Sequence, residues 1–228
     1  MSAAADIDGD GDLDLAVSND ISADVHILRN RGDGTFDTTE IYAAPGSPRE
    51  VILEDLSGDG IVDMAVAASA ANVVFVWQGR ADGIFVAAGS LPAGDGTLGL
   101  AALDLDADGW LDIIATNQWA STATVYLSDR AGSFVPHSNV AVGSGPRSIA
   151  GGDFDSDGYL DIATADETDN AVLVLIGDGE GGLTPSANYP VGVLPSAVRA
   201  GDLNEDGVPD LMTSNQLSNT VGVLLSNP

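Results

Sequence analysis

Residues Asp6–Asp14 read DIDGDGDLD, five carboxylates in nine positions. At an effective dielectric of about 20, two carboxylates about 4 Å apart repel by roughly 4 kcal/mol. A compact fold that gathers such a stretch therefore needs a cation among the acids or must splay them into water. The stretch recurs. DLSGDGIVD starts at Asp55, DLDADGWLD at Asp104, DFDSDGYLD at Asp153 and DLNEDGVPD at Asp202, each 49 residues after the last. Self-similarity at a fixed period of this size marks an array of supersecondary units, propeller blades among them.

Other features keep the same register. An alternating apolar run follows each acidic loop: LDLAVS, VDMAVAA, LDIIAT, LDIATA, PDLMTS. A polar turn and a second β-rich run come next: DVHILR, NVVFVW, ATVYLS, AVLVLI, TVGVLL. A Gly-rich turn then ends on a bulky residue at Phe36, Phe85, Phe134 and Leu183, and an apolar anchor precedes each later loop at Val51, Leu100, Ile149 and Val198. Short period-2 runs between Gly, Asn, Asp and Pro turns are strands, and no stretch carries the helical period. Each unit reads as four antiparallel strands, A before the acidic loop and B, C and D after it. The fold class is all-β, a single β-propeller domain over residues 1–228.

Five units of 49 residues come to 245 against the 228 present, and the 17 lacking correspond to strand D of the last unit. Two readings follow: a five-bladed ring whose last blade lacks its outer strand, or part of a ring of roughly six to eight blades. Either way strand C of the last unit, Thr220–Ser226, presents an unpaired edge, a place for self-association. Met1–Ala5 leads straight into a repeat and does not read as a signal peptide.

Within each acidic loop, positions 1, 3 and 5 carry oxygen side chains, position 6 is Gly and position 9 is Asp. The side-chain sets are Asp6, Asp8, Asp10 and Asp14; Asp55, Ser57, Asp59 and Asp63; Asp104, Asp106, Asp108 and Asp112; Asp153, Asp155, Asp157 and Asp161; Asp202, Asn204, Asp206 and Asp210. The odd positions can converge, Gly permits the sharp turn, and the carbonyl of position 7 (Asp12, Ile61, Trp110, Tyr159 or Val208) adds a further oxygen. About six or seven hard oxygens without nitrogen or sulfur suit Ca²⁺ rather than Zn²⁺. The expectation is about one Ca²⁺ per repeat, up to five, weakest at the Asp55 and Asp202 loops, where position 3 is uncharged. The rival EF-hand needs an acid at position 12, which here is Val17, Val66, Ala115, Thr164 or Thr213, inside strands.

Charge points the same way. Net charge is −28, with 29 Asp, 6 Glu, 7 Arg and no Lys, and the five cages use 18 of the aspartates. Five Ca²⁺, at +2 each, would bring −28 to −18. A surface this acidic argues against nucleic acid and anionic membrane as partners. No apolar run approaches the roughly 18 residues of a membrane span, and the absence of Cys excludes disulfides.

The DxDxDGxxD loops, the strand pattern DLAVSN…VHIL and the turn GDGTF at Gly32–Phe36 resemble the FG-GAP/VCBS repeat family, found in integrin α-subunit propellers and many bacterial secreted proteins. The resemblance covers essentially the whole chain. It implies a β-propeller with Ca²⁺ in the loop between strands A and B of each blade, held by the loop positions named above. Ser57, Asn204 and Pro209 depart from the pattern and bear on affinity rather than fold.

Other constellations read as structure. Arg31-Gly32-Asp33 spells an integrin-ligand tripeptide but coincides with the turn between strands C and D. His26 shares its strand C position with Phe75, Thr124, Leu173 and Gly222 and reads as packing. His137 lies beside Pro136 in the outer strand and reads as exposed. No nucleophile elbow, HExxH or cysteine nucleophile occurs. Trp77 aligns with Leu28, Tyr126, Leu175 and Leu224 and reads as core. The indole of Trp110 is expected to project outward and Trp119 to lie exposed in the B–C turn, where aromatics can stack on sugars or anchor partners. The functional expectation is an extracellular or cell-surface, non-enzymatic scaffold that binds glycan or protein ligands. The alternatives are a propeller module of a carbohydrate-active enzyme and a purely structural repeat.

Overall fold

Alternating apolar residues build strands with two usable faces, and the protein uses both. The structure is a computed structural model that describes residues 1–226, apart from the side chains at 38 and 39. Blade 1 comprises β1 (Ser2–Ala5), β2 (Asp14–Asn19), β3 (Asp24–Asn30) and β4 (Phe36–Ala43). Blade 2 comprises β5 (Pro48–Glu54), β6 (Asp63–Ala68), β7 (Val73–Gln78) and β8 (Val86–Pro92). Blade 3 comprises β9 (Thr97–Leu103), β10 (Asp112–Asn117), β11 (Thr122–Ser128) and β12 (Phe134–Ala141). Blade 4 comprises β13 (Pro146–Gly152), β14 (Asp161–Asp166), β15 (Ala171–Gly177) and β16 (Leu183–Pro190), and blade 5 β17 (Pro195–Gly201), β18 (Asp210–Asn215) and β19 (Thr220–Leu224). Each blade is an antiparallel meander in chain order, and no helix occurs among the described residues. The protein is a five-bladed β-propeller whose last blade has three strands. The sequence places the last strand at Thr220–Ser226; it ends at Leu224 because the Ser226 N–H turns to donate to Asp210 Oδ1, at 2.8 Å.

The first strand of each blade is innermost, with β1 packed on β5, β5 on β9, β9 on β13 and β13 on β17. The cores lie between blades. Ile7, Ala16, Val25 and Ile27 of blade 1 meet Val51, Leu53, Met64, Val66, Trp77 and Phe85 of blade 2. Their counterparts 49 residues on repeat the contact, as in Leu56, Val74 and Val76 against Leu100, Ile113, Tyr126 and Phe134. Each fully buried aliphatic or aromatic side chain contributes about 1.5–3 kcal/mol, so the junctions carry most of the stability. Two tyrosines tie neighbouring blades: the Tyr126 hydroxyl donates to the Pro92 carbonyl at 2.5 Å, and the Tyr42 hydroxyl accepts from the Phe85 N–H at 3.0 Å. Burial pushes the Tyr126 phenol up to about 12.

Sandwiching explains the central strands. All six residues of β6, β10 and β14 are buried on both faces. In β2 buried and part-buried residues alternate, and β18 exposes Met212 and Ser214. Phe85, Phe134 and Leu183 plug the preceding blade at 4%, 9% and 8% exposure, whereas Phe36 of blade 1 is 41% exposed. Blade 5 has no residue at this position. A groove of about 350 Å³ remains there, lined by Phe154, Val174, Ile176, Pro209, Leu211 and Leu224 among others.

Candidate metal centre

The five acidic loops join the first and second strands of the blades. Position 1 organises each loop: Asp6 Oδ1 accepts from the Gly9 and Asp10 N–H groups at 2.8 and 3.1 Å, and Oδ2 from Gly11 N–H at 3.0 Å. Asp55, Asp104, Asp153 and Asp202 likewise accept from positions 5 and 6 of their loops. Position 5 then accepts from position 7, as Asp108 Oδ1 does from Trp110 N–H at 2.8 Å. The position 6 glycines, Gly11, Gly60, Gly109, Gly158 and Gly207, have φ between 85° and 94°, where a Cβ is strained. Position 4 is also left-handed, and there Ala107, Ser156 and Glu205 tolerate φ of 55°, 62° and 63°. The sequence reading missed this second turn; its only signal is Gly9 and Gly58 in the other two copies.

The ninth-position aspartates brace the loop. Asp112, 1% exposed, accepts from Leu105 N–H at 2.9 Å through Oδ2 and from Ser128 N–H at 2.8 Å through Oδ1. Asp14, Asp63, Asp161 and Asp210 make the same pair of contacts, one to the loop and one just past strand C or at its end. Burial raises the Asp63, Asp112 and Asp161 carboxyls above the usual range. Position 9 is therefore a bracket between strands, and of these five aspartates Asp161 alone joins a carboxylate triplet among the described residues.

Three loops gather three carboxylates with one oxygen each inside 4.8 Å: Asp6, Asp8 and Asp10; Asp104, Asp106 and Asp108; Asp153, Asp155 and Asp161. Asp157 and the ninth residues of the first and third loops lie outside those triplets. The Asp55 and Asp202 loops form no such triplet among the described residues. There Ser57 Oγ is buried without a hydrogen-bond partner, while Asn204 Nδ2 donates to Asp206 Oδ2 at 2.8 Å. Crowding registers in the third loop, where burial and the charges of Asp108 and Asp104 raise Asp106. Burial also pushes Asp108 up, but Arg130, whose Nε donates to Asp108 Oδ2 at 2.6 Å, brings the net direction down. The donors are all oxygen, three carboxylates converge, and an orphaned hydroxyl sits at the equivalent third position. That set fits a hard divalent cation.

Several side chains lie elsewhere than the sequence suggests. The Trp110 indole does not project outward; it lies over Gly58 of the preceding loop, where an added Cβ would sit 1.9 Å from Cζ3. Glycine permits that approach between loops. Trp119 is 62% exposed, as expected, and Trp77 is core at 6%. His137 is exposed. His26 is part-buried on the free side of blade 1, 3.4 Å from Asp24. Arg31-Gly32-Asp33 occupies the C–D turn, with Arg31 Nε on Asp37 Oδ2 at 2.6 Å and Asp33 Oδ1 accepting from Thr35 N–H at 2.9 Å.

The repeated loops and meanders match a description of the FG-GAP-like repeat four times, over residues 6–66, 55–115, 104–164 and 153–213. The chain belongs to the FG-GAP-like repeat family. No curated protein matches it. A solved structure of a Lactobacillus plantarum protein superposes with a TM-score of 0.67 at 17% identity, covering 93% of this chain and 67% of that one. A Desulfotomaculum acetoxidans protein of unknown function gives 0.63 at 16%, covering 93% and 66%. A candidate 6-phosphogluconolactonase from Bacteroides fragilis gives 0.65 at 17%, covering 86% and 56%. This FG-GAP chain thus spans between about half and two thirds of those chains, and at such identities the likeness is one of fold.

One buried acid at the far end of a second strand stands apart from the loops. Asp166 is 1% exposed, its Oδ1 has no partner, and burial raises its pKa to about 7. The residues 49 to either side are Asn117 and Asn215, whose amides bond threonine hydroxyls. An unfolded Asp titrates near 4, so ionised Asp166 opposes folding above pH 7, and the penalty fades as pH falls toward 4. Asp166→Asn is expected to raise unfolding stability by about 2–3 kcal/mol at pH 8. Urea unfolding of both proteins should show this gain shrinking to nothing near pH 4; a gain independent of pH would refute the assignment.

Proposed function

We propose that the protein is a calcium-stabilised propeller serving as an extracellular binding or adhesion scaffold for glycan or protein ligands. The observation that carries the reading is the convergence of three carboxylates in each of the Asp6, Asp104 and Asp153 loops. Asp8, Asp106 and Asp155, with positions 1 and 5 or 9 of the same loops, would hold the ion, which would neutralise them. Ser57 and Asn204 would take the third place in the two less charged loops. Calcium in the millimolar range outside cells fills sites of modest affinity that cytosolic levels leave empty. Ile21, Trp119 and Leu217 support the binding role. They are 102%, 62% and 65% exposed at equivalent positions of three B–C turns, an apolar set on the opposite edge of the blades.

Terbium, a calcium mimic excited through nearby indole, tests the metal reading directly. Trp110 lies inside the third loop and against the second, so bound Tb³⁺ is expected to luminesce on tryptophan excitation. Calcium should quench the signal by displacement, and Trp110→Phe should remove most of it. Luminescence that calcium fails to displace, or that survives Trp110→Phe unchanged, would defeat the reading.

A further inference from the structure

We propose that Arg130 is a built-in counter-cation of the third acidic loop, which a divalent ion must displace from Asp108, so that this cage binds more weakly than the fourth. The inference rests on the metal reading above and adds to it a residue outside every loop. Arg130 lies in the turn between β11 and β12, and its Nε donates to Asp108 Oδ2 at 2.6 Å. Asp108 belongs to the triplet it forms with Asp104 and Asp106, and its Oδ1 accepts from Trp110 N–H at 2.8 Å. Both oxygens of one cage carboxylate are thus engaged before any ion arrives. The guanidinium also feels the charge of Asp106.

The backbone sets Arg130 apart. Its φ is 61°, a left-handed conformation that a bulky side chain rarely adopts, and two of its counterparts in the repeat are Gly32 and Gly179, at 71° and 69°. Those turns lie against the acidic loops of their own blades: an added Cβ would sit 2.6 Å from Asp12 Oδ2 at Gly32 and 2.3 Å from Tyr159 Cδ1 at Gly179. Blade 3 places a guanidinium at this spot. Arg31, one residue earlier in the turn of blade 1, goes to Asp37 instead. Arg29 reaches the first loop through Asp14, which stands outside that triplet. Among the described residues no arginine pairs with Asp153, Asp155 or Asp161. The first loop therefore has a guanidinium on its brace, the third has one on a cage oxygen, and the fourth has none. A divalent ion entering the third cage meets a like charge bonded to the same carboxylate, and part of its binding goes into freeing Asp108.

Terbium titration of the whole chain, followed by tryptophan-sensitised luminescence, tests this, because Trp110 stays in place. Arg130→Gln and Arg130→Gly, the second matching the backbone of Gly32 and Gly179, are each expected to lower the terbium dissociation constant about three- to tenfold. Arg130→Gln is also expected to melt below wild type in EGTA, because the crowded carboxylates lose their counter-charge. Tighter binding with lower stability marks a displaced counter-cation; a residue that merely braced the loop would weaken both when lost. Unchanged or weaker terbium binding in either variant overturns the proposal and leaves the metal reading standing, and so does an Arg130→Gln protein that melts no lower in EGTA. Wild-type luminescence that calcium fails to displace overturns both.

Discussion

Excess EGTA is expected to lower the melting temperature of the calcium-loaded protein by about 15–30 °C. An ion held at about 100 times its dissociation constant adds about 2.7 kcal/mol per site, and the three loops with carboxylate triplets add about 8 kcal/mol together. For a chain of this length each kcal/mol moves the midpoint by about 2–4 °C. Calorimetry in calcium and in EGTA at one ionic strength checks it, and superimposable curves would end the metal reading. Asp106→Asn sharpens the test by reversing sign. It removes one of three crowded charges, so it should melt above wild type in EGTA and below it in calcium. The same direction in both solutions would mean that carboxylate repulsion is not what the cation relieves.

Asp112→Ala is expected to destabilise by about 3–5 kcal/mol, and by nearly the same amount in calcium and in EGTA. The substitution orphans the N–H groups of Leu105 and Ser128, both bonded to a carboxylate that is 1% exposed, at about 1–3 kcal/mol each. Denaturant titration under both conditions separates the two roles of the loop. A loss that vanishes in EGTA would make Asp112 a metal ligand alone and remove its bracing role. Asp112→Asn, which keeps one acceptor oxygen, should recover roughly half of the loss.

The invariant spacing of the acidic loops made the blades legible, because a repeat whose turns and apolar positions recur at one interval can bury them only against its own neighbours. Val51, Leu100, Ile149 and Val198 could be assigned to the core on that ground alone, and they are at most 5% exposed. The third-position substitutions Ser57 and Asn204 likewise foretold which loops fail to gather three carboxylates. Trp110 was misread because its environment belongs to another blade: nothing near position 110 announces that Gly58 leaves room for an indole. The bracing by the ninth aspartates was equally hidden, since the partner N–H of Ser128 lies 16 residues on, across a hairpin whose closure local sequence does not specify.

Sequence by itself determined the unit, its strand order and its oxygen donors, because turn chemistry and period-2 burial are local and every copy repeats them. Tertiary structure decided which copies of one pattern are buried. Val174 and Val223 occupy the same place in their units, yet one is 6% exposed and the other 52%. The difference is that a propeller blade has no core of its own, so burial at any position depends on whether another blade stands beside it.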